Sequence, residues 1–347
     1  MKATSDDVVR LVLMNLEHDG GPEEEPGVLP ERWRQAYEGI LAPLRPDWLG
    51  MTELTYSQTR PEATDEEKAA ADRRWHAAQE VLGMRGFRAN MGQGRNPNGL
   101  FVREGTFTLG PQHHHPKVFR TPPANVVLRL PEVPEVPIVT AAFHSAFCSP
   151  HGRVAEAYEL TSLADKVKAQ HGADLDRPRA ACWLFGDTNE YPVPIGERVP
   201  EIDWSAPEVT DVVHRRHRAL KQPDGSWKSC TFLDELMLDC GMHDPARFAA
   251  LHRDQPGALS ATAGYAAVGQ GGQRRIDRGY MDAWTIQAVQ EVSVIDMAGL
   301  SDHHAIDVTL SRRKLIEALR RSFPPLAPWA LATEAGPTVT RQGRVHA

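Results

Sequence analysis

Short apolar runs that each end on a chemically capable side chain constrain this chain more than any other feature. Val8 to Met14 (VVRLVLM) leads into Asn15, and Asp47 to Thr52 (DWLGMT) leads into Glu53. Pro137 to Phe143 (PIVTAAF) leads into His144, and Ala180 to Gly186 (AACWLFG) leads into Asp187. Runs of this length are buried strands, and the Pro and Gly flanking them argue against helices. Further strands are expected at Gly99 to Arg103, Asn125 to Leu130, Arg274 to Asp282, Ala288 to Asp296 and Ala305 to Leu310.

Helical segments lie between the strands. Thr64 with Glu67 forms a capping box that opens an Ala-rich run to Leu82, stopped by Gly83. Val154 to Gln170 is expected to be a helix with Gly172 as its stop, and Val209 to Lys221, Phe232 to Asp239 and Ser311 to Phe323 are expected to be three more. Gly20 to Pro30 (GGPEEEPGVLP) reads as a solvated loop. Alternating strands and helices give an α/β protein whose sheets are covered by helices. No linker divides the chain, so residues 1–323 are expected to form one domain and 324–347 a flexible C-terminal tail.

Composition excludes several classes. With 39 Lys+Arg against 46 Asp+Glu the net charge is −7, which removes the field of a nonspecific nucleic-acid binder but not a local basic groove. No stretch approaches the roughly 18 uninterrupted apolar residues of a membrane helix. The N-terminus carries no signal pattern, so no membrane insertion and a cytoplasmic location are expected. Cys148, Cys182, Cys230 and Cys240 lie far apart, which fits reduced thiols rather than a zinc knuckle or a disulfide framework, with Cys182 in the core.

Singly, each polar strand end is what any turn provides. In order, they make a specific series: MNLEHDG with Asn15, PDWLGMTEL with Glu53, TAAFHSAF with His144, LFGDTNEY with Asp187 and Asn189, RRIDRGY with Asp277, and GLSDHHAI with Asp302 and His303. This series resembles the endonuclease/exonuclease/phosphatase superfamily, the DNase I-like fold. Its members carry a strand ending in Asn, a pD-x-(hydrophobic)-x-E segment, a strand ending in His, a GD-x-N turn, a hydrophobic-Asp strand and a C-terminal SDH. The resemblance implies a four-layer sandwich of two packed mixed β-sheets flanked by helices, with the active site at one edge. It also implies metal-dependent hydrolysis of phosphate esters.

The residue types suit that chemistry in their own right. Phosphate-ester hydrolysis needs a hard cation with oxygen ligands, and Glu53, supported by Asn15 and Asp302 as the resemblance also suggests, offers a sparse set suited to Mg²⁺, with Mn²⁺ as a substitute. Asp187 can take a proton from water, and Asn189 can donate to a phosphoryl oxygen or hold the water. Asp277 behind His303 would fix the tautomer of the imidazole and favour its protonated form. His144 would sit opposite as a transition-state or leaving-group donor. The division of acid and base roles among Asp187, His144 and His303 stays open, and His304 competes with His303 to face the site.

Other features have plainer readings. His113 to His115 reads as a solvated loop, and His214 to Arg218 as a solvated basic helix face. Trp48, Trp75 and Trp183 read as packing residues, and Leu315, Ile316 and Leu319 as the apolar stripe of a docked helix. The expected activity is hydrolysis of a phosphodiester in DNA or RNA, the alternative being a phosphorylated metabolite or lipid headgroup. The chain departs from the inositol-polyphosphate phosphatase pattern (GDTNEYP and RRIDRGY) and from that of abasic-site nucleases, where Gln273 to Ile276 lacks an aromatic. Specificity is expected in the insertion from Glu190 to Ser260. A noncatalytic module would have lost Glu53, the GDTN turn or the SDH turn, and all three are present.

Overall fold

The computed structural model describes residues 7–115, 117–167 and 180–327, with the backbone of 338–339 and 345–346. Two six-stranded sheets dominate it. One runs β13 (Val289–Ile295), β14 (Ala305–Ser311), β1 (Val8–Asn15), β2 (Trp48–Thr52), β4 (Gly99–Val102) and β3 (Arg85–Arg88). The other runs β11 (Met242–His243), β12 (Asp277–Asp282), β8 (Ala181–Asp187), β7 (Val133–His144), β6 (Ala124–Leu130) and β5 (Thr108–His113). In each, a single parallel pair, β1 with β2 and β7 with β8, sits among antiparallel neighbours. The insertion adds a hairpin of β9 (Ala219–Lys221) and β10 (Trp227–Ser229), and β15 (Thr338–Val339) pairs with β16 (Val345–His346).

Strand alternation builds the layers. Val9, Leu11 and Leu13 of β1 face the other sheet and share a core with Trp48, Val126, Leu128, Ile138, Trp183 and Phe185. Val12 and Met14 face outward onto Trp33, Tyr37 and Leu41 of α1 (31–44) and Trp75 of α2 (Asp65–Leu82). On the opposite surface Val139, Ala141, Cys182 and Leu184 pack on Ala157 and Leu160 of α3 (Pro150–Ala164) and on Leu233 and Met237 of α5 (Phe232–Asp239). Each fully buried Leu, Ile or Phe contributes roughly 1.5–3 kcal/mol against the chain entropy. The result is the expected four-layer α/β sandwich. No described helix is long and apolar enough to cross a membrane.

Local chemistry sets the helix ends. Thr64 Oγ1 accepts from Glu67 N at 3.2 Å while Glu67 Oε2 accepts from Thr64 N at 2.7 Å, and Gly83 turns left-handed at φ 62°. Ser149 caps α3 by accepting from Gly152 N at 3.0 Å, so that helix starts earlier than Val154; its expected end at Gln170 and stop at Gly172 lie outside the described residues. The segment expected to be helical from Val209 to Lys221 is helical only as α4 (Val212–Arg218). Asp224 and Gly225 then turn the chain into the β9–β10 hairpin, with Ser226 N donating to Asp224 Oδ1 at 2.9 Å. α6 (Pro245–His252) and α7 (Arg312–Leu319) complete the set, and Leu315 and Leu319 of α7 join the inter-sheet core. The strand expected from Arg274 begins at Asp277, because Arg274 N instead donates to Ala263 O at 2.9 Å. Most of the expected tail lies outside the described residues.

Candidate active site at the sandwich edge

Register across the second sheet puts three of the sequence-predicted residues in one row. His144 pairs with Asp187 across β7 and β8, and Asp187 pairs with Asp277 across β8 and β12. Adjacent strands are roughly 4.8 Å apart, so the three polar strand ends are lateral neighbours. Gly186 is required just before them: a Cβ there would lie 2.1 Å from Phe143 O. In the first sheet Asn15 pairs with Thr52, and Glu53 follows in the left-handed region at φ 60°. A non-glycine residue is held in that conformation only when its surroundings over-determine it.

The two strand-end groups meet. Asn15 Nδ2 donates to Asp187 Oδ2 at 3.2 Å and to Glu53 Oε1 at 3.4 Å. His144 Nε2 lies 3.5 Å from Asp187 Oδ2 and 4.0 Å from Glu53 Oε1. Glu53 Oε2 also accepts from the backbone N–H of His18 at 3.1 Å. His18 was not predicted from sequence, although it stands in the same MNLEHDG segment as Asn15.

His303 joins from the loop before β14. Its Nδ1 lies 2.7 Å from Asp277 Oδ2, and its Nε2 lies 3.9 Å from Asp187 Oδ2 and 3.8 Å from Asp302 Oδ1. Burial works to lower the His303 pKa, but the Asp277 carboxylate and its hydrogen bond, then Asp187 and Asp302, outweigh it and push the group up to about 10. His303 is therefore an imidazolium at neutral pH. For Asp187 burial works upward, yet His144, His303 and Arg218 hold it below the usual carboxylate range, so it stays ionised. His304 turns elsewhere: its Nδ1 accepts from Met297 N at 3.1 Å and its ring meets Tyr265 edge-on. Of the two adjacent histidines, His303 faces the cluster. Asp302 is the most solvent-accessible member, and burial first, then Glu17, Glu53 and Asp187, raise its pKa against the pull of His303.

Thr262 ties the two halves together and was invisible in the sequence. Its Oγ1 accepts from Ile276 N at 3.1 Å and Asp277 N at 3.0 Å, while its carbonyl accepts from His304 N at 2.7 Å. Ser301 Oγ donates to Asn15 O at 2.7 Å, pinning the SDH turn to β1.

Asn189, expected to donate to a phosphoryl oxygen or hold the water, is held on three sides. Its backbone N–H donates to Asp187 Oδ1 at 2.8 Å, its Nδ2 donates to Ser145 O at 2.7 Å, and its Oδ1 accepts from Arg218 Nη2. Arg218 is correspondingly buried and corrects the reading of His214 to Arg218 as a solvated face. His113 closes β5 rather than lying in a loop, and His115 Nε2 sits 3.1 Å from Asn125 Oδ1.

Two groups of donors could hold a cation. Asn15 and Glu53, in contact at 3.4 Å, supply oxygen ligands to which Asp302, 3.8 Å from His303 Nε2, would add another, and Asn15 Oδ1 is buried with no hydrogen-bond partner among the described residues. Ligand atoms of Asp187, Asp277 and His303 also lie within 4.8 Å of one another. The 2.7 Å contact between His303 Nδ1 and Asp277 Oδ2 occupies one edge of that imidazole.

No protein-family model matches the sequence, and no curated protein is detectably similar to it. Solved structures do match. An endonuclease/exonuclease/phosphatase family protein from Bacteroides thetaiotaomicron aligns over 87% of this chain and 94% of its own at 13% identity, with a TM-score of 0.50. The endonuclease/exonuclease/phosphatase from Bacteroides vulgatus aligns over 87% and 98% at 12% identity, with a TM-score of 0.51. A functionally unknown conserved protein from Enterococcus faecalis covers 88% and 100% at 12% identity, also with a TM-score of 0.51. The chain thus has the fold of the endonuclease/exonuclease/phosphatase superfamily, as its motif order implied.

Proposed function

We propose that the chain is a divalent-metal-dependent phosphoesterase that hydrolyses a phosphodiester bond in DNA or RNA. One observation carries this reading: Asn15 and Glu53 from one sheet converge with His144 and Asp187 from the other around a common set of contacts of 3.2–4.0 Å. The unpartnered Asn15 oxygen beside the Glu53 carboxylate fits a hard, oxygen-preferring ion. Held by Glu53, Asn15 and Asp302, Mg²⁺ or Mn²⁺ would supply charge neutralisation at the phosphoryl and leaving oxygens.

The side chains account for the remaining chemistry. Asp187, kept ionised, accepts a proton as the water oxygen bonds to phosphorus. The bond from phosphorus to the leaving oxygen breaks in line with that attack, and the leaving oxygen needs one proton. His144 and protonated His303 flank Asp187 and supply that proton and the N–H donors for the phosphoryl group. One exposed aromatic, three residues beyond His144, favours a nucleic acid. Glu156 accepts from Ala146 N at 2.7 Å and Arg120 N at 2.8 Å, which sets half-exposed Phe147 under the Arg120 guanidinium, a surface on which a base can stack.

The deciding experiment is a panel with Mg²⁺: plasmid DNA, single-stranded DNA, RNA, a generic phosphodiester and a generic phosphomonoester. Cleavage of nucleic acid, abolished by EDTA and weakening steeply with salt, is expected. Activity on the monoester alone would shift the reading to a small-molecule phosphatase, and equal activity in EDTA would overturn the metal.

A further inference from the structure

Asn189 occupies the left-handed region at φ 50°, is buried, and is gripped from two sides by groups of opposite hydrogen-bonding character. Arg218 Nη1 donates to Asn189 O at 2.5 Å and Arg218 Nη2 donates to Asn189 Oδ1, while Asn189 Nδ2 donates to Ser145 O at 2.7 Å. A guanidinium only donates and a carbonyl only accepts. Turning the amide over would set N–H against guanidinium and oxygen against carbonyl, so its orientation is fixed. A primary amide has two N–H bonds, and one is committed to Ser145.

Arg218 is itself held at the end of α4. Its carbonyl accepts from Cys230 N at 2.9 Å. The preceding carbonyl, of His217, accepts from Arg153 Nη2 at 2.6 Å, and Arg153 also pairs with Glu190 at 2.9 Å and donates to Ala146 O at 2.9 Å. Arg153 thereby joins α4, the loop after β7 and the segment following the GDTN turn. Among the described residues no carboxylate lies within ion-pair distance of the Arg218 guanidinium. Burial first, and then like charge from Arg153, lower its pKa to about 10, with Asp187 opposing. A buried cation whose acceptors are neutral amide oxygens is costly to maintain, and an anionic phosphoryl group beyond Asn189 would offset that cost.

We propose that Arg218 is a positioning residue that fixes the Asn189 side chain as an N–H donor to the scissile phosphoryl group. This rests on the phosphoesterase reading of the site. The substrate-framing insertion thereby contributes to the hydrolytic centre itself as well as to its rim.

The test is a double-mutant cycle of Arg218→Lys and Asn189→Ala on the best ester of the panel, joined to NMR of the Asn189 side-chain amide, which is assigned by its loss in Asn189→Ala. Arg218→Lys is expected to lower kcat about tenfold or more while KM changes less than about threefold, as loss of a transition-state donor does. In the Asn189→Ala background Arg218→Lys should cost nothing further, and in wild-type Asn189 it should shift the amide resonance. Losses that multiply in the double variant, wild-type kcat in Arg218→Lys, or an unmoved amide resonance would overturn the proposal. Arg218→Met carries the same test should the lysine variant not fold. A wild-type protein that cleaves no ester would overturn the phosphoesterase reading and leave the amide resonance to decide the pairing.

Discussion

Asp277 and His303 meet at 2.7 Å between Oδ2 and Nδ1, the former at the start of β12 and the latter in the loop before β14. Asp277 Oδ1 is buried with no hydrogen-bond partner among the described residues, so this carboxylate serves the imidazole.

Asp277→Asn should therefore lower the turnover number at least tenfold, in line with general acid–base contributions. The amide keeps the shape but loses the charge that holds the proton on His303. Steady-state kinetics with Mg²⁺ at neutral pH measure it, and wild-type turnover would remove the coupling between the pair.

Glu53→Gln should reduce metal-stimulated hydrolysis by about a hundredfold or more, because an amide is a poorer ligand than a carboxylate for a hard cation. Its oxygen can still accept from the His18 N–H, so the thermal midpoint should move by no more than about 2 °C. Comparing rates with Mg²⁺ and with EDTA checks this; a variant as active as wild type would exclude Glu53 as a ligand.

What could be read in the sequence was the strand end. Asn15, Glu53, His144 and Asp187 each close a run of apolar residues, and strand register alone brings His144, Asp187 and Asp277 side by side. The missed strands are of another kind. β3 (RGFR) and β5 (TLGPQH) are sheet edges with few apolar positions, so no periodicity marks them. The helix at 31–44 did carry a signal, Trp33, Tyr37 and Leu41 at the four-residue spacing of a buried helix face, in a stretch that folds as a π-helix over Gln35–Leu41. α6 did carry a signal, Asp244 before Pro245, the cap and first-turn pair of a helix start.

Buried charge was the least legible feature. Arg218 ends a basic run that has the composition of a solvated face, and only the hairpin after it takes the side chain inside. Arg275 and Arg278 likewise look like ordinary charged neighbours of Asp277. In the fold Arg275 pairs with Glu197 and Asp244, and Arg278 approaches Asp234 at 3.4 Å.

Asp234 is the hub of that network. Its Oδ2 accepts from Arg247 Nη2 at 2.6 Å and from Val193 N at 2.7 Å, and its Oδ1 accepts from the Tyr280 hydroxyl at 2.9 Å. Asp234→Ala would leave Arg278 buried without its counterion and Arg247 dependent on Glu197 at 2.9 Å, so a loss of about 3–5 kcal/mol is expected in urea unfolding. A loss below about 1 kcal/mol would show that the insertion is held by its apolar contacts instead.

His243 should make stability fall with acid. It lies on β11, 1% exposed, and neither ring nitrogen has a hydrogen-bond partner among the described residues. Burial, with a smaller contribution from His252, lowers its pKa from 6.5 to about 4. Between those two values the unfolded chain binds a proton that the folded chain does not, so folding stability is full above pH 6.5 and is lost as pH drops toward 4. At about 1.4 kcal/mol per pH unit, His243 accounts for a loss of about 2 kcal/mol between about pH 7 and pH 5. His214, lowered to about 3 by burial and then by Arg218 and Arg274, acts in the same direction and leaves a residual slope. His243→Leu removes the titrating ring while keeping an apolar side chain. The difference in unfolding free energy between the two pH values should then shrink by about 2 kcal/mol. Denaturant unfolding of both proteins at each pH measures it, and parallel pH dependences would mean that the histidine is protonated, and therefore partnered, in the folded state.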